Sequence, residues 1–144
     1  MLSKLLFLIF ISPQVFADAS WVCHSSGLSV VFQDREEAIA ADYCYQPSTG
    51  QLKSKTCYDG DCVAMKKGKD VGQSLSPDQR KSVFSGQTGT PGFRLCRDLG
   101  GKFEIVHVKD PRVDLITNRC VFSQDGSFVD AGFILTNFTR SLRH

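Results

Sequence analysis

The sequence has almost no excess of either charge: 17 Lys and Arg stand against 15 Asp and Glu, a formal net charge of +2. That near balance gives no electrostatic reason to expect nucleic acid or an anionic membrane as partner. Histidine is scarce, with only His24, His107 and the terminal His144. No Cys-x-x-Cys, Gly-x-Ser-x-Gly elbow or His-Glu-x-x-His helix occurs, so the usual spacings for thiol redox chemistry, acyl transfer and zinc hydrolysis are missing. Carboxylates such as Glu104, Asp110, Asp114 and Asp125 are scattered singly, with no pair that spacing alone ties to glycoside chemistry. Beyond the N-terminal segment, no apolar run approaches the roughly 20 residues needed to span a bilayer. The one basic cluster, Lys66, Lys67 and Lys69 in "KKGK", reads as a solvated hairpin tip or linker. These absences lead us to expect a non-enzymatic protein with no cofactor and no metal.

What is present begins with an address. Lys4 precedes the apolar run Leu5 to Ile11, a Ser-Pro-Gln break follows, and Val15 and Ala17 place small residues at −3 and −1 of a secretory cleavage site. Residues 1–17 are therefore expected to be a signal peptide, and the protein periplasmic or extracellular. Cys23 follows Ser-Trp-Val, a poor lipobox, so no lipid anchor is expected. Loss of Lys4 leaves 16 basic against 15 acidic residues in the mature chain.

The six cysteines, Cys23, Cys44, Cys57, Cys62, Cys96 and Cys120, all follow that cut. An even count in an oxidising compartment reads as a disulfide framework. In "CYDGDC", Asp59 and Asp61 would raise a neighbouring thiol's pKa, which argues against a reactive pair. For the first four cysteines the preferred pairing is Cys23–Cys62 with Cys44–Cys57. Cys23–Cys44 with Cys57–Cys62 stays open as its competitor.

The segment Met65 to Gly92 is rich in Gly, Ser, Thr, Pro and Lys and contains no cysteine. It suggests a connector over 66–89 between an N-terminal four-cysteine unit over 18–65 and a C-terminal unit over 90–144. Each unit, about 50 residues, is near the lower limit for a lone core. The fold class expected is α+β, made of small disulfide-stapled units, each a helix on a short antiparallel sheet. In the first, "LSVVFQ" reads as a strand. "DREEAIAADYC" reads as a helix, with Asp34 as N-cap and Glu37 completing a capping box. "KSKTCYDGDCVAM" reads as a hairpin around Asp59-Gly60. In the connector, Ser76, Pro77 and Gln79 predict a helix to about Phe84.

In "TPGFRLCRDLGGKFEI", Thr90 and Pro91 open a helix whose face carries Phe93, Cys96 and Leu99. Gly100 and Gly101 follow that helix. A phosphate loop needs glycines before a helix, where free N–H groups meet the anion, so the order excludes one. The pair instead reads as the reversal that lays strand Lys102 to Val108 back on the helix. Cys96 on the inner face would meet Cys120 on a neighbouring strand, closing a loop worth roughly 3.5 kcal/mol by chain entropy. Asp125-Gly126 reads as a hairpin turn and "FILTNF" as a last apolar run.

Pro91, Cys96, Gly100, Gly101, Cys120, Phe122, Asp125, Gly126 and Ser127 together resemble the small bacterial domain of unknown function 333, often labelled a haemolysin, over residues 90–129. That family commonly carries a further cysteine and a Glu-Trp shortly after Asp-Gly-Ser, where this chain has Phe128, Val129 and Asp130. The resemblance implies a secreted or envelope protein without an established activity. No amphipathic segment supports lysis. Trp21, Cys23, Cys44, Cys57 and Cys62 are similar in order to small exported bacterial domains reading Trp-x-Cys, strand, Ala-rich helix, then two cysteines.

The function expected is an exported binding or structural module with an envelope or protein partner. One alternative is a protease inhibitor presenting Val108 to Asn118. The other is a thiol-dependent enzyme using a free cysteine near His24 or His107.

Overall fold

A computed structural model describes residues 20–144. The expected leader and its cut after Ala17 lie outside the described residues. Within them the chain runs β1 (Val22–His24), β2 (Leu28–Phe32), β3 (Arg35–Ala38), β4 (Tyr43–Gln46), β5 (Gln51–Ser54), α1 (Lys55–Asp59), α2 (Val63–Lys69), α3 (Val71–Ser74), α4 (Pro77–Ser85), α5 (Pro91–Asp98), β6 (Lys102–Asp110), β7 (Val113–Val121), β8 (Phe128–Val129) and α6 (Ala131–Ser141). All eight strands form one antiparallel sheet, curved as a half-barrel, in the order β1-β4-β5-β8-β7-β6-β2-β3.

That order corrects the expected fold class. There are no two small sheets, each with its own helix. Strands from both halves interleave: β5 pairs with β8 at Lys53↔Val129, and β2 pairs with β6 from Leu28↔Val108 to Val31↔Ile105. Short strands cannot leave rows of N–H and C=O groups unpaired beside a core, and each half supplies what the other lacks.

Residues 34–44 are the largest local departure. The expected helix is replaced by β3 and the start of β4. Gln33 and Asp34 both take positive φ, 45° and 62°, and Phe32 pairs with Arg35. This is the two-residue reversal whose twist suits a hairpin. A short Ala-rich stretch has little helical stability of its own, and pairing with β2 overrides it. The expected hairpin at 53–65 is likewise replaced, by α1 and α2. The first N–H groups of α2 are satisfied from far along the chain, Val63 N donating to Asp125 Oδ2 at 3.0 Å and Ala64 N to Ser127 Oγ at 3.0 Å. Lys66, Lys67 and Lys69 thus lie in the last turn of a helix, where cations suit the dipole, rather than on a hairpin tip or linker.

The C-terminal half follows its local signals more closely. The capping box of Ser76 and Gln79 opens α4. Thr90 Oγ1 accepts from Phe93 N at 3.2 Å and opens α5. Gly100 takes φ +80° after it. The two-residue period then divides the core. Phe103, Cys120 and Val129 point to one face, beneath α2, α5 and α6, while Val106, Val108 and Phe128 point to the other, among Leu28, Tyr43, Tyr45 and Leu52. The run "FILTNF" lies in α6, opened by Asp130, whose Oδ1 accepts from Phe133 N at 2.8 Å.

Candidate functional site

The six cysteines form three disulfides: Cys23–Cys44, Cys57–Cys62 and Cys96–Cys120. The last is the pair expected from the helix face. The preferred pairing of the first four, Cys23–Cys62 with Cys44–Cys57, is incorrect. Cys23 and Cys44 face each other on β1 and β4, and Cys57 and Cys62 tie the middle of α1 to the N-cap of α2. Once the 34–44 segment is strand rather than helix, Cys44 belongs to the sheet and meets Cys23.

The glycine pair has two distinct jobs. Gly100 reverses the chain in open space, whereas a Cβ on Gly101 would collide with Cys120 Sγ and stand 3.0 Å from Cys96 Sγ. Asp125 and Gly126 form the turn before β8, with Gly126 at φ +71°. Asp125 Oδ1 also accepts from Ser127 N at 2.9 Å, so the turn is held while its other oxygen starts α2.

Val108 to Asn118, the expected inhibitor surface, is not a presented loop. It is the end of the β6–β7 hairpin, paired from Lys102↔Val121 to Asp110↔Val113 around Pro111-Arg112. Asn137, of the sequon-like Asn-Phe-Thr, lies inside α6 and donates from Nδ2 to Phe133 O at 2.9 Å.

The structure gathers side chains into two polar clusters. At the rim of the half-barrel, Tyr45 donates its hydroxyl to Asp110 Oδ2, and Tyr43 donates to Ser26 O at 2.8 Å. Burial first, then Asp110, pushes the Tyr45 phenol up to about 12. The Tyr45 hydroxyl foremost, then the backbone N–H of Arg112, holds the Asp110 carboxyl below its ordinary range. His24 Nε2 stands 3.1 Å from the same oxygen but is not aligned to bond it. These contacts tie the hairpin tip to β4 and use up the carboxylate, so we read the cluster as a structural latch.

The second cluster lies on the helix-facing side of the sheet, past the point where the helices end. Asn118 Oδ1 accepts from Ala131 N at 2.9 Å, marking that limit. Beyond it, Val31, Ile105 and Ile116 share a face with Ser29, Glu36, His107, Lys109 and Asp114. Ile105 is 40% exposed and its diagonal neighbour Ile116 64%. Beside them the His107 ring is sheltered, at 7% exposure. Its Nδ1 lies 2.7 Å from Glu36 Oε1 and its Nε2 faces Asp114 Oδ1. Glu36 Oε2 accepts from Lys109 Nζ at 2.7 Å. Hydrogen bonding to Asp114, then to Glu36, raises the His107 pKa, and Lys109 foremost, with His107, lowers that of Glu36. With His107 protonated, two cations and two carboxylates are thus paired within the chain.

Of this cluster, sequence reasoning weighed His107 and Asp114 singly and missed Glu36, Lys109 and the two isoleucines. The available signal was Ile105 and His107 on the same parity of β6, opposite the buried Val106 and Val108. Among the described residues no group of three or more His, Cys, Asp or Glu could hold a metal ion, and no helix is long and apolar enough to cross a membrane. No protein-family model, curated protein or solved structure matches the chain.

Proposed function

We propose that this protein is an exported, disulfide-stabilised, non-enzymatic binding module that docks an apolar, uncharged surface of a periplasmic or extracellular protein on the open face of β6 and β7. The observation that carries this reading is the exposed Ile105–Ile116 pair beside four groups that, with His107 protonated, satisfy one another's charge. A charged partner would gain little there, because the local charges are spent. An apolar partner would gain by removing the isoleucines from water. Three disulfides fit an oxidising compartment. The pairing of all six cysteines favours this reading over the thiol-dependent alternative. The likeness of residues 90–129 to the domain of unknown function 333 adds support for a secreted or envelope setting.

The test is capture from a periplasmic or culture extract by the immobilised, oxidised protein. The expected result is a partner held by wild type, lost with Ile116→Glu and kept with Leu142→Gln, a change at a residue 54% exposed at the far end of α6. A partner that both variants retain, or that both lose, overturns the reading.

A further inference from the structure

We infer that the protonation state of His107 gates this face, keeping it charge-balanced in acid and leaving a free carboxylate beside Ile116 at higher pH. The inference rests on the binding reading above and adds its regulation. The geometry requires it. Both ring nitrogens point at carboxylate oxygens, Nδ1 at Glu36 and Nε2 at Asp114, and only the imidazolium can donate from both. A neutral ring must turn a lone pair toward one carboxylate, which then separates.

The neighbours decide which one. Glu36, from β3, is anchored a second time by Lys109 Nζ. Asp114, from β7, has an 81% exposed side chain and, among the described residues, no other side-chain partner, so water replaces the imidazole at little cost. Strand β2 contributes Ser29 opposite His107, an uncharged neighbour. Lys109 is the one charged group on His107's own strand within this cluster. The proton on Nε2 therefore leaves to solvent, and Nδ1–H stays on Glu36. In acid, His107 and Lys109 balance Glu36 and Asp114. After deprotonation the face carries a net single negative charge, on a carboxylate two residues from Ile116. An apolar partner would then have to strip water from an unpaired charge, which is costly.

The experiment has two arms on the mature, oxidised protein. In the first, NMR follows the His107 ring and the Asp114 carboxyl from about pH 5 to about pH 9. The expected result is one shared midpoint above the ordinary histidine value of about 6.5, absent from the Asp114 trace of His107→Gln. An Asp114 signal that ignores the His107 titration overturns the gate. In the second arm, capture is compared at about pH 5.5 and about pH 8.5, with a drop of about tenfold expected in wild type and none in His107→Gln. Equal capture at both pH values overturns the gate and leaves the binding surface standing. Capture absent at both overturns the binding reading, and the gate falls with it.

Discussion

The two ends of the β6–β7 hairpin are built on the same pair of strands but held by different physics. At the covered end, Phe103 meets Phe93 of α5 with ring centroids 5.5 Å apart, and Cys120 is bonded to Cys96. Helices bury that end, and its order comes from close packing and a crosslink. At the open end no helix of the described residues lies over the strands. Order there comes from strand pairing and from the Lys109–Glu36–His107–Asp114 chain of charges. Packing tolerates little change in volume but ignores pH, whereas a charge chain tolerates change in volume and responds to pH. The covered end is therefore fixed by packing, and the open end by charges whose pairing depends on pH.

The difference can be broken most directly at Gly101. Gly101→Val puts a branched side chain against both sulfurs of Cys96–Cys120 and is expected to abolish oxidative folding, read by disulfide mapping and circular dichroism. Gly100→Ala strains only the left-handed turn and is expected to cost about 1 kcal/mol. Next in size, joint Cys96→Ser and Cys120→Ser is expected to lower stability by about 3.5 kcal/mol in urea unfolding, the entropy of opening a 24-residue separation. Arg94 ranks third. Its buried guanidinium serves the carbonyls of Val83, Gly86, Thr88 and Gly89, with no carboxylate partner among the described residues. Arg94→Lys cannot reproduce that planar fork and is expected to cost about 2 kcal/mol, read as a lowered melting temperature.

The open end should respond less, and in another variable. The folded His107 pKa is raised, so its stabilisation is complete below the unfolded value of about 6.5 and is lost as pH rises through the folded value. Urea midpoints of wild type and His107→Gln are thus expected to differ most in acid and converge above the folded pKa. A gap that widens with pH would mean the imidazolium is not what holds this end. The smallest effect is expected at Ile116→Thr, within about 0.5 kcal/mol of wild type, because an exposed side chain contributes little to folding. A large loss there would show that the isoleucine supports the fold, and the contrast between the two ends would fail.

Legibility in the sequence tracks how local each signal is. Thr90, Pro91 and Gly100 act on residues within one turn of themselves, and the helix they bound is found where they place it. Ser76 and Gln79 do the same for α4. Asp34 and Glu37 carry an equally regular capping pattern, yet they lie at a reversal and on an edge strand. Their fate depends on β2, which is ordered by pairing with β6 over 70 positions later in the chain. The charge cluster of the open end was hidden for the same reason. Glu36, His107 and Asp114 are unrelated in sequence and meet only through the register of four strands.

By itself the sequence determined the disulfide-rich character of the chain, the capped helices α4 and α5, the glycine reversal and the Cys96–Cys120 bond. The helices and the reversal depend on residues within a turn of one another, and the Cys96–Cys120 bond joins the inner face of one helix to a strand of the same half. Only the tertiary structure decided that both halves share one sheet, that Cys23 meets Cys44, and that the charges of the open end pair with one another beside exposed isoleucines. Strand pairing joins distant segments, and a shift of one residue in register would send every side chain to the opposite face.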